Sequence, residues 1–355
     1  MSNKDQPSLT DLVYFLFGVV LILLSNIKSV ATCSAVAKTL EVMGAGLAGY
    51  PGVRVLLFMK TFVTEDFWRE RIDRMFQPQP PRVRPRDADL PSLILTDVEG
   101  CITPADRSLV DLRKMQRLRS YCEFVKSEAG RGFPPVVLYT GRAQAYVELL
   151  AQSLGMINKA LDIPFVIENG AALYFPYAKK TTPLVSPEQK DLIQTIRSKL
   201  VLVDALRENE FEPKAYMVTI NPRPGQDIAL LREAVEQHLS SAGRLSELTI
   251  NSTASAVDIT PKGVDKLTGL TKALEEIQKL RGGQCDFTSA VALGDTASDL
   301  PVLKKVVSAY CPEFSVEPEV RNFVLDSFGK DHVIPKHDID FVCGAIEHAC
   351  SLRLI

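Results

Sequence analysis

The sequence has no CxxC pair, no HExxH, no marked excess of either charge and no apolar run of full bilayer length. Each absence excludes something. Lysine and arginine total 41 against 43 aspartate and glutamate, a formal charge of −2, so there is no global basic excess of the kind that marks nucleic-acid binders. The seven cysteines are odd in number and scattered, which argues against a disulfide framework or a Cys-rich zinc site and for a reducing compartment. His238, His332, His337 and His348 form no zinc-ligand spacing. Hydrophobic residues at 46% and charged residues at 24% are those of a folded, globular chain. At 355 residues the chain is long enough for two or three domains of ordinary size.

The first block, residues 1–76, differs from the rest. Leu12–Ile27 carries no charge and Leu12–Leu24 is apolar, slightly short of the ~20 residues that span a bilayer. Lys4 is offset by Asp5 and Asp11, which does not suit a cleaved secretory signal. The block therefore reads as a hydrophobic helical region that contacts a membrane through 12–27 or packs on a partner. Lys28, Lys38, Arg54 and Lys60 would keep the downstream chain cytoplasmic if the run inserts. Gly44, Gly46 and Gly49 spell GxGxxG, but Pro51 follows where a nucleotide-binding helix would begin, so a glycine-rich turn is the better reading. Residues 77–91, with Pro78, Pro80, Pro81, Pro85 and Pro91 among Arg82, Arg84 and Arg86, form a stiff linker.

From residue 92 the pattern alternates. Short apolar runs at 92–96, 135–139, 165–167 and 290–293 predict buried strands. Leu109, Leu112, Met115, Leu118, Cys122 and Val125 mark one face of a helix over 106–126. This predicts an α/β core with a parallel sheet, in two parts, 92–175 and 255–355. Between them, 176–254 has another texture: helices over 187–202 and 227–241, and strands near 215–220, 248–250 and 256–259. That is an α+β insert placed to cover the edge of the first sheet.

Four segments put reactive side chains at predicted strand ends, where open α/β sheets bind ligands. Asp97 and Glu99 follow the first strand, a carboxylate pair able to divide nucleophilic and acid/base work. Thr140 and Gly141 follow the second, a hydroxyl beside backbone free to approach an anion. Lys262 and Lys266 flank a glycine turn at a helix start, where an ammonium can neutralise a carboxylate and a phosphoryl oxygen. Asp295 and Asp299 follow the last strand, hard oxygen donors of the kind that suit Mg2+. Taken singly, the first three segments have bland readings as caps, turns or surface lysines.

Taken in order, they resemble the haloacid dehalogenase superfamily of phosphohydrolases. Asp97-Val98-Glu99-Gly100 is similar to its first motif, Thr140 to its second, Lys266 (or Lys262) to its third, and Gly294-Asp295 with Asp299 to its fourth. Tyr139-Thr140-Gly141-Arg142, Ile167–Ala171 and Ile259–Lys266 resemble the Cof-type, sucrose phosphatase and mannosyl-3-phosphoglycerate phosphatase subgroup. The resemblance spans 92–355. It implies a Rossmann-like core with an inserted α+β cap of the second type. It also implies a Mg2+-dependent phosphomonoester hydrolase acting on a small phosphate ester, sugar phosphates first. Within it, Asp97, Glu99, Thr140 and Lys266 are catalytic, and Asp97, Glu99 (through its carbonyl), Asp295 and Asp299 gather the metal. Gly141, Arg142, Glu168 and Asn169 line the substrate. Two departures stand out: Glu99 replaces the family's usual aspartate, and Tyr310-Cys311-Pro312-Glu313 replaces an Asn-Ala loop. The alternatives are a phosphomutase on the same scaffold, or a binding protein whose site has drifted and which works through residues 1–76.

Overall fold

The computed structural model describes residues 82–83, 90–105, 111–253, 255–281, 285–314 and 316–354. The uncharged run 12–27, the Gly44/Gly46/Gly49 pattern and most of the 77–91 linker lie outside the described residues. Among the described residues no helix is long and apolar enough to cross a membrane. The chain divides into two units, Met1–Gln77 and Pro78–Ile355, and the second carries everything described below.

In chain order the elements are β1 (Arg82–Val83), β2 (Leu93–Thr96), α1 (Leu112–Lys126), β3 (Val136–Leu138), α2 (Gln144–Ser153), β4 (Phe165–Ile167), β5 (Ala172–Phe175) and β6 (Lys180–Pro183). The insert follows with α3 (Pro187–Leu200), β7 (Glu210–Phe211), β8 (Val218–Asn221), α4 (Ile228–Ser241), β9 (Leu248–Ser252) and β10 (Val257–Pro261). The chain then returns through α5 (Lys266–Arg281), β11 (Ala290–Leu293), α6 (Leu300–Leu303), β12 (Ser308–Pro312), α7 (Pro318–Phe328), β13 (Val333–Ile334), α8 (Asp338–Ala349) and β14 (Leu352–Arg353).

The central sheet is parallel, in the order β13-β12-β11-β2-β3. Its strands are apolar on both faces because helices cover both. Leu93, Ile94 and Leu95 of β2 have no exposed surface, and each such burial contributes about 1.5–3 kcal/mol. From β2 the chain moves to β3 on one side, and from β11 to β12 on the other. The sheet thus reverses direction between β2 and β11, and the crevice outside such a point is where α/β sheets bind ligands. The register sets Leu293 opposite Thr96, so Asp97 and Asp295 emerge side by side.

β4 runs parallel to β3, as expected, but joins it only through a bridge from Tyr139 to Val166 among the described residues, and β5 and β6 then add to it antiparallel in the order β4-β5-β6. The cause is local: Glu168 (φ 49°), Asn169 (φ 54°) and Gly170 (φ 94°) turn the chain back on itself.

The insert forms its own sheet, β7-β8-β10-β9, with a core of its own. Val218 and Ile220 of β8 and Val257 and Ile259 of β10 pack against Ile193, Ile196 and Leu200 of α3 and Leu231, Val235 and Leu239 of α4. Strand alternation then puts Thr219, Asn221 and Asp258 on the opposite, polar face. A reciprocal cap between Ser186 and Gln189 starts α3.

Candidate active site

The site is built where β2 and β11 end. The Asp97 amide donates to the Leu293 carbonyl at 3.1 Å, which ties the two strand ends together. The Asp97 side chain is buried. Its Oδ1 accepts from the Val98 amide at 2.7 Å, and its Oδ2 from Lys266 Nζ at 2.7 Å. The chain then folds into a tight turn in which Ile102 and Thr103 both donate to the Val98 carbonyl. Gly100 (φ +72°) lies so close to the fourth motif that a Cβ there would stand 2.0 Å from Asp295 Oδ2.

Lys266 is the first residue of α5. Asp265 and Thr268 set that start reciprocally: the Asp265 amide donates to Thr268 Oγ1 at 3.0 Å and the Thr268 amide to Asp265 Oδ1 at 2.7 Å. The helix seats deeply because two glycines meet under it. A Cβ on Gly269 would lie 2.5 Å from the Gly170 Cα, and one on Gly170 would lie 1.9 Å from the Asp265 carbonyl oxygen. The ammonium reaches Asp97 and also Asp299 Oδ1 at 2.8 Å, above the Tyr139 ring. Lys262, the other lysine of this segment, is exposed.

Asp299 has both oxygens engaged. Oδ1 takes Lys266; Oδ2 accepts from the amides of Asp295 and Thr296 at 3.1 and 3.0 Å and from the Thr296 hydroxyl at 3.0 Å. Asp295 differs. Among the described residues its carboxylate takes only the weak thiol of Cys101, at 3.8 Å. One oxygen each from Asp97, Asp295 and Asp299 falls within 4.8 Å of the others. Three buried carboxylates thus face one ammonium.

The electrostatic consequences follow. Burial pushes the Asp97 carboxyl up to about 7, with Lys266 pulling the other way and Asp299 adding to the rise. Burial, reinforced by Asp299 and Asp97, lifts Asp295 well above the carboxylate range. Burial alone would lower Lys266, but the Asp299 and Asp97 carboxylates outweigh it and raise it above its ordinary value. Burial and the same carboxylates keep the Cys101 thiol protonated. A set of hard oxygens with surplus negative charge, and an Asp295 carboxylate lacking a strong donor, fits a magnesium ion.

Thr140 lies two residues past the end of β3 and is buried. Its Oγ1 accepts from the Arg142 amide at 3.2 Å, and its carbonyl from the Asn169 amide at 3.0 Å. A Cβ on Gly141 would come within 2.9 Å of Asn169 Oδ1, which makes glycine the fitting residue there. The Arg142 guanidinium donates to Glu99 Oε1, lies 3.6 Å from a Glu212 oxygen on the insert, and rests on the Tyr146 ring with its central carbon 5.1 Å from the centroid.

Glu168 and Asn169, singled out as substrate-lining residues, are engaged with the insert. Buried Glu168 accepts the amides of Ala215 at 3.1 Å and Tyr216 at 2.6 Å. Burial raises its carboxyl, and those amides and Lys214 moderate the rise. Asn169 donates to Asp258 Oδ2 at 3.0 Å. Asp258 also accepts from Thr219, whose hydroxyl takes Lys214 Nζ at 2.7 Å. Lys214 pairs with Glu212 at 3.1 Å. Burial works to raise Glu212, but Lys214 and Arg142 more than offset it and hold the carboxyl below its usual range.

Cys101, Glu212, Lys214 and Asp258 went unrecognised in the sequence. Alternation along β8 and β10 could have assigned Thr219 and Asp258 to the polar face. Nothing local announces Glu212, whose partner Arg142 lies outside the insert, in the segment that follows β3.

A parallel sheet whose strand order reverses between two acid-bearing strands, a lysine between them and an inserted α+β layer match the haloacid dehalogenase-like fold. No protein-family model matches the chain. It is 29% identical over 242 residues to the phosphoglycolate phosphatase of Methanopyrus kandleri, a match covering 66% of this chain and 91% of that protein. The crystal structure of protein 0175 from Thermoplasma acidophilum has the same fold, with a TM-score of 0.52 and 16% identity over 74% of this chain and 99% of that one. A haloacid dehalogenase-like hydrolase from Bacteroides thetaiotaomicron also aligns with a TM-score of 0.52, at 18% identity over 72% of this chain and 98% of that one. The chain thus has the fold of the haloacid dehalogenase-like hydrolases, and its sequence is similar to that of a phosphatase.

Proposed function

We propose that this protein is a phosphatase that hydrolyses a small phosphomonoester through an aspartyl-phosphate and depends on Mg2+. The observation that carries the reading is the buried cluster of Asp97, Asp295, Asp299 and Lys266 at the reversal point of the sheet. In the first step an Asp97 carboxylate oxygen bonds to phosphorus as the ester P–O bond breaks, and Glu99 gives the leaving alkoxide its proton. In the second a water attacks the same phosphorus, Glu99 takes the water's proton, and the Asp97–phosphorus bond breaks to release phosphate. One hard displacement becomes two easier ones.

Lys266 holds Asp97 in place and supplies positive charge to the phosphoryl oxygens. Thr140, with the backbone at Gly141, offers a hydroxyl and amides to those oxygens. Asp97, Asp295 and the Glu99 carbonyl would hold the metal. When bound, Mg2+ supplies charge that offsets repulsion between the anionic nucleophile and an anionic substrate. Asp299 anchors Lys266 and the Asp295 turn, which suits a positioning role better than direct metal contact.

For the substrate, phosphorylated sugars come first and phosphoglycolate second. The sugar reading comes from the subgroup motifs, and the phosphoglycolate reading from the Methanopyrus relative. The polar insert face (Thr219, Asn221, Asp258, Glu212) is hydroxyl-compatible and carries more carboxylate than cation. That favours a neutral, hydroxylated leaving group. The insert would act as the cap that covers the site, with Glu168 and Asn169 fastening it. The experiment is the full chain with Mg2+ on a panel of phosphate esters beside Asp97→Asn. Asp97-dependent release of phosphate supports the reading. Equal release by both proteins, or none by the parent, rejects it and leaves the drifted binding protein.

A further inference from the structure

The Arg142 guanidinium joins two carboxylates that belong to different layers. One is Glu99, on the turn that follows the nucleophile; the other is Glu212, on the insert just after β7. The arginine itself is held firmly at its base. Its amide donates to Thr140 Oγ1 at 3.2 Å, its carbonyl accepts from the Glu168 amide at 3.1 Å, and its head lies on Tyr146. Among the described residues its buried Nε has no acceptor, and the head is oriented by the two carboxylates and the ring. Glu212 is in turn fixed by Lys214 at 3.1 Å and by the Asn221 amide at 3.3 Å. Both partners lie on the insert's polar side, and the Lys214 side chain is only 4% exposed.

The Glu99 side chain is 33% exposed and sits on a turn, so its carboxylate needs an external anchor to occupy one place. It is also one methylene longer than the aspartate usual at this position, and so has one more torsion to fix. Arg142 is that anchor, and its direction is set from the insert. We propose that Arg142 and Glu212 are positioning residues for Glu99, so that the insert contributes to proton transfer through one shared guanidinium. This rests on the phosphatase reading above, in which the Glu99 proton passes to the leaving oxygen as its bond to phosphorus breaks.

The test uses leaving groups. p-Nitrophenolate departs without needing a proton, whereas the alkoxide of glucose 6-phosphate or phosphoglycolate needs one. With the full chain, kcat/KM for both kinds of ester reports the first step. Glu212→Gln, which keeps the shape and removes the charge, should lower kcat/KM for the alkyl ester about 10- to 100-fold and that for p-nitrophenyl phosphate by less than about 3-fold. Arg142→Lys keeps the charge but loses the longer, planar guanidinium that reaches Glu99 and Glu212 from separate nitrogens, and should show the same selectivity. Glu99→Gln combined with Glu212→Gln should be no slower on the alkyl ester than Glu99→Gln alone, within about 2-fold.

Circular dichroism of each variant separates misfolding from mispositioning. Equal losses on both esters in folded Glu212→Gln, no loss on either, or multiplying losses in the double variant overturn the proposal while leaving the phosphatase reading intact. A parent with no Asp97-dependent turnover of any ester removes both.

Discussion

Replacing Asp97 by asparagine should make the metal-free protein more stable while abolishing its activity. Burial moves this carboxyl from 3.8 to about 7. An unfolded Asp97 releases its proton near 3.8 and the folded one only near 7. Between those values the folded state holds the extra proton, so stability falls as pH rises and levels off above about 7. The roughly three pH units, at about 1.4 kcal/mol each, come to about 4 kcal/mol at pH 8. Asparagine keeps the shape and one acceptor but cannot serve both Val98 and Lys266, a loss of about 1 kcal/mol. The net expectation at pH 8 in EDTA is a gain of about 2–3 kcal/mol, shrinking to nothing or reversing near pH 4. Mg2+ at about 100 times its dissociation constant should return about 2.7 kcal/mol to the parent and much less to the variant. Urea unfolding followed by far-ultraviolet circular dichroism measures this. The single tryptophan, Trp68, lies in the first unit and is unsuitable as a probe of the second. A metal-free parent whose stability is flat or rises from pH 4 to 8, or a variant weaker than the parent at pH 8, refutes the reasoning.

Further outcomes follow from the same geometry. Gly100→Ala puts a methyl 2.0 Å from Asp295 Oδ2 at a positive φ; calorimetric Mg2+ titration should show affinity lost by at least about 10-fold, at a stability cost of about 1–3 kcal/mol. Lys266→Met should abolish phosphate release, whereas exposed Lys262→Met should leave it within about 2-fold; equal effects would mean that the wrong lysine has been assigned. Glu168→Gln leaves the Ala215 and Tyr216 amides short of a carboxylate, so hydrogen exchange at 215–217 should accelerate while the central strands stay protected. For residues 12–27, flotation of the full chain with liposomes decides: a protein that stays at the bottom has no membrane attachment through this run.

Much of the fold was legible because buried strands announce themselves by composition. Phe165–Ile167 and Ala290–Leu293 are strands with the bounds that their apolar runs predict, and the 92–96 run begins one residue later, at Leu93. The helix expected over 106–126 begins at Leu112, because Asp111 is extended and caps it, its side chain accepting from the Arg113 amide. Past Asp295 the expected helix near 297 is a 3-10 turn over Ala297–Asp299 followed by a single α turn. The antiparallel return from β4 into β5 was not foreseen, although Asn169-Gly170 is a known turn signature. Asp97, Thr140, Lys266 and Asp295 could be picked out because each follows a strand. The Glu99–Arg142–Glu212 chain could not, because it joins residues distant in sequence through a fold that had first to be known.

The glycine pair beneath α5 has a practical meaning for anyone altering this molecule. Gly170 and Gly269 act as a shim of zero thickness, and the depth of the Lys266 ammonium is read off that seam. Redesign for stability or solubility has room at the exposed positions of the helix, such as Thr271, Lys272, Glu275 and Gln278, but not on the buried face of Leu270, Ala273, Leu274 and Ile277. A single methyl at this joint would lift the first turn, and with it the only cation that touches the nucleophile among the described residues.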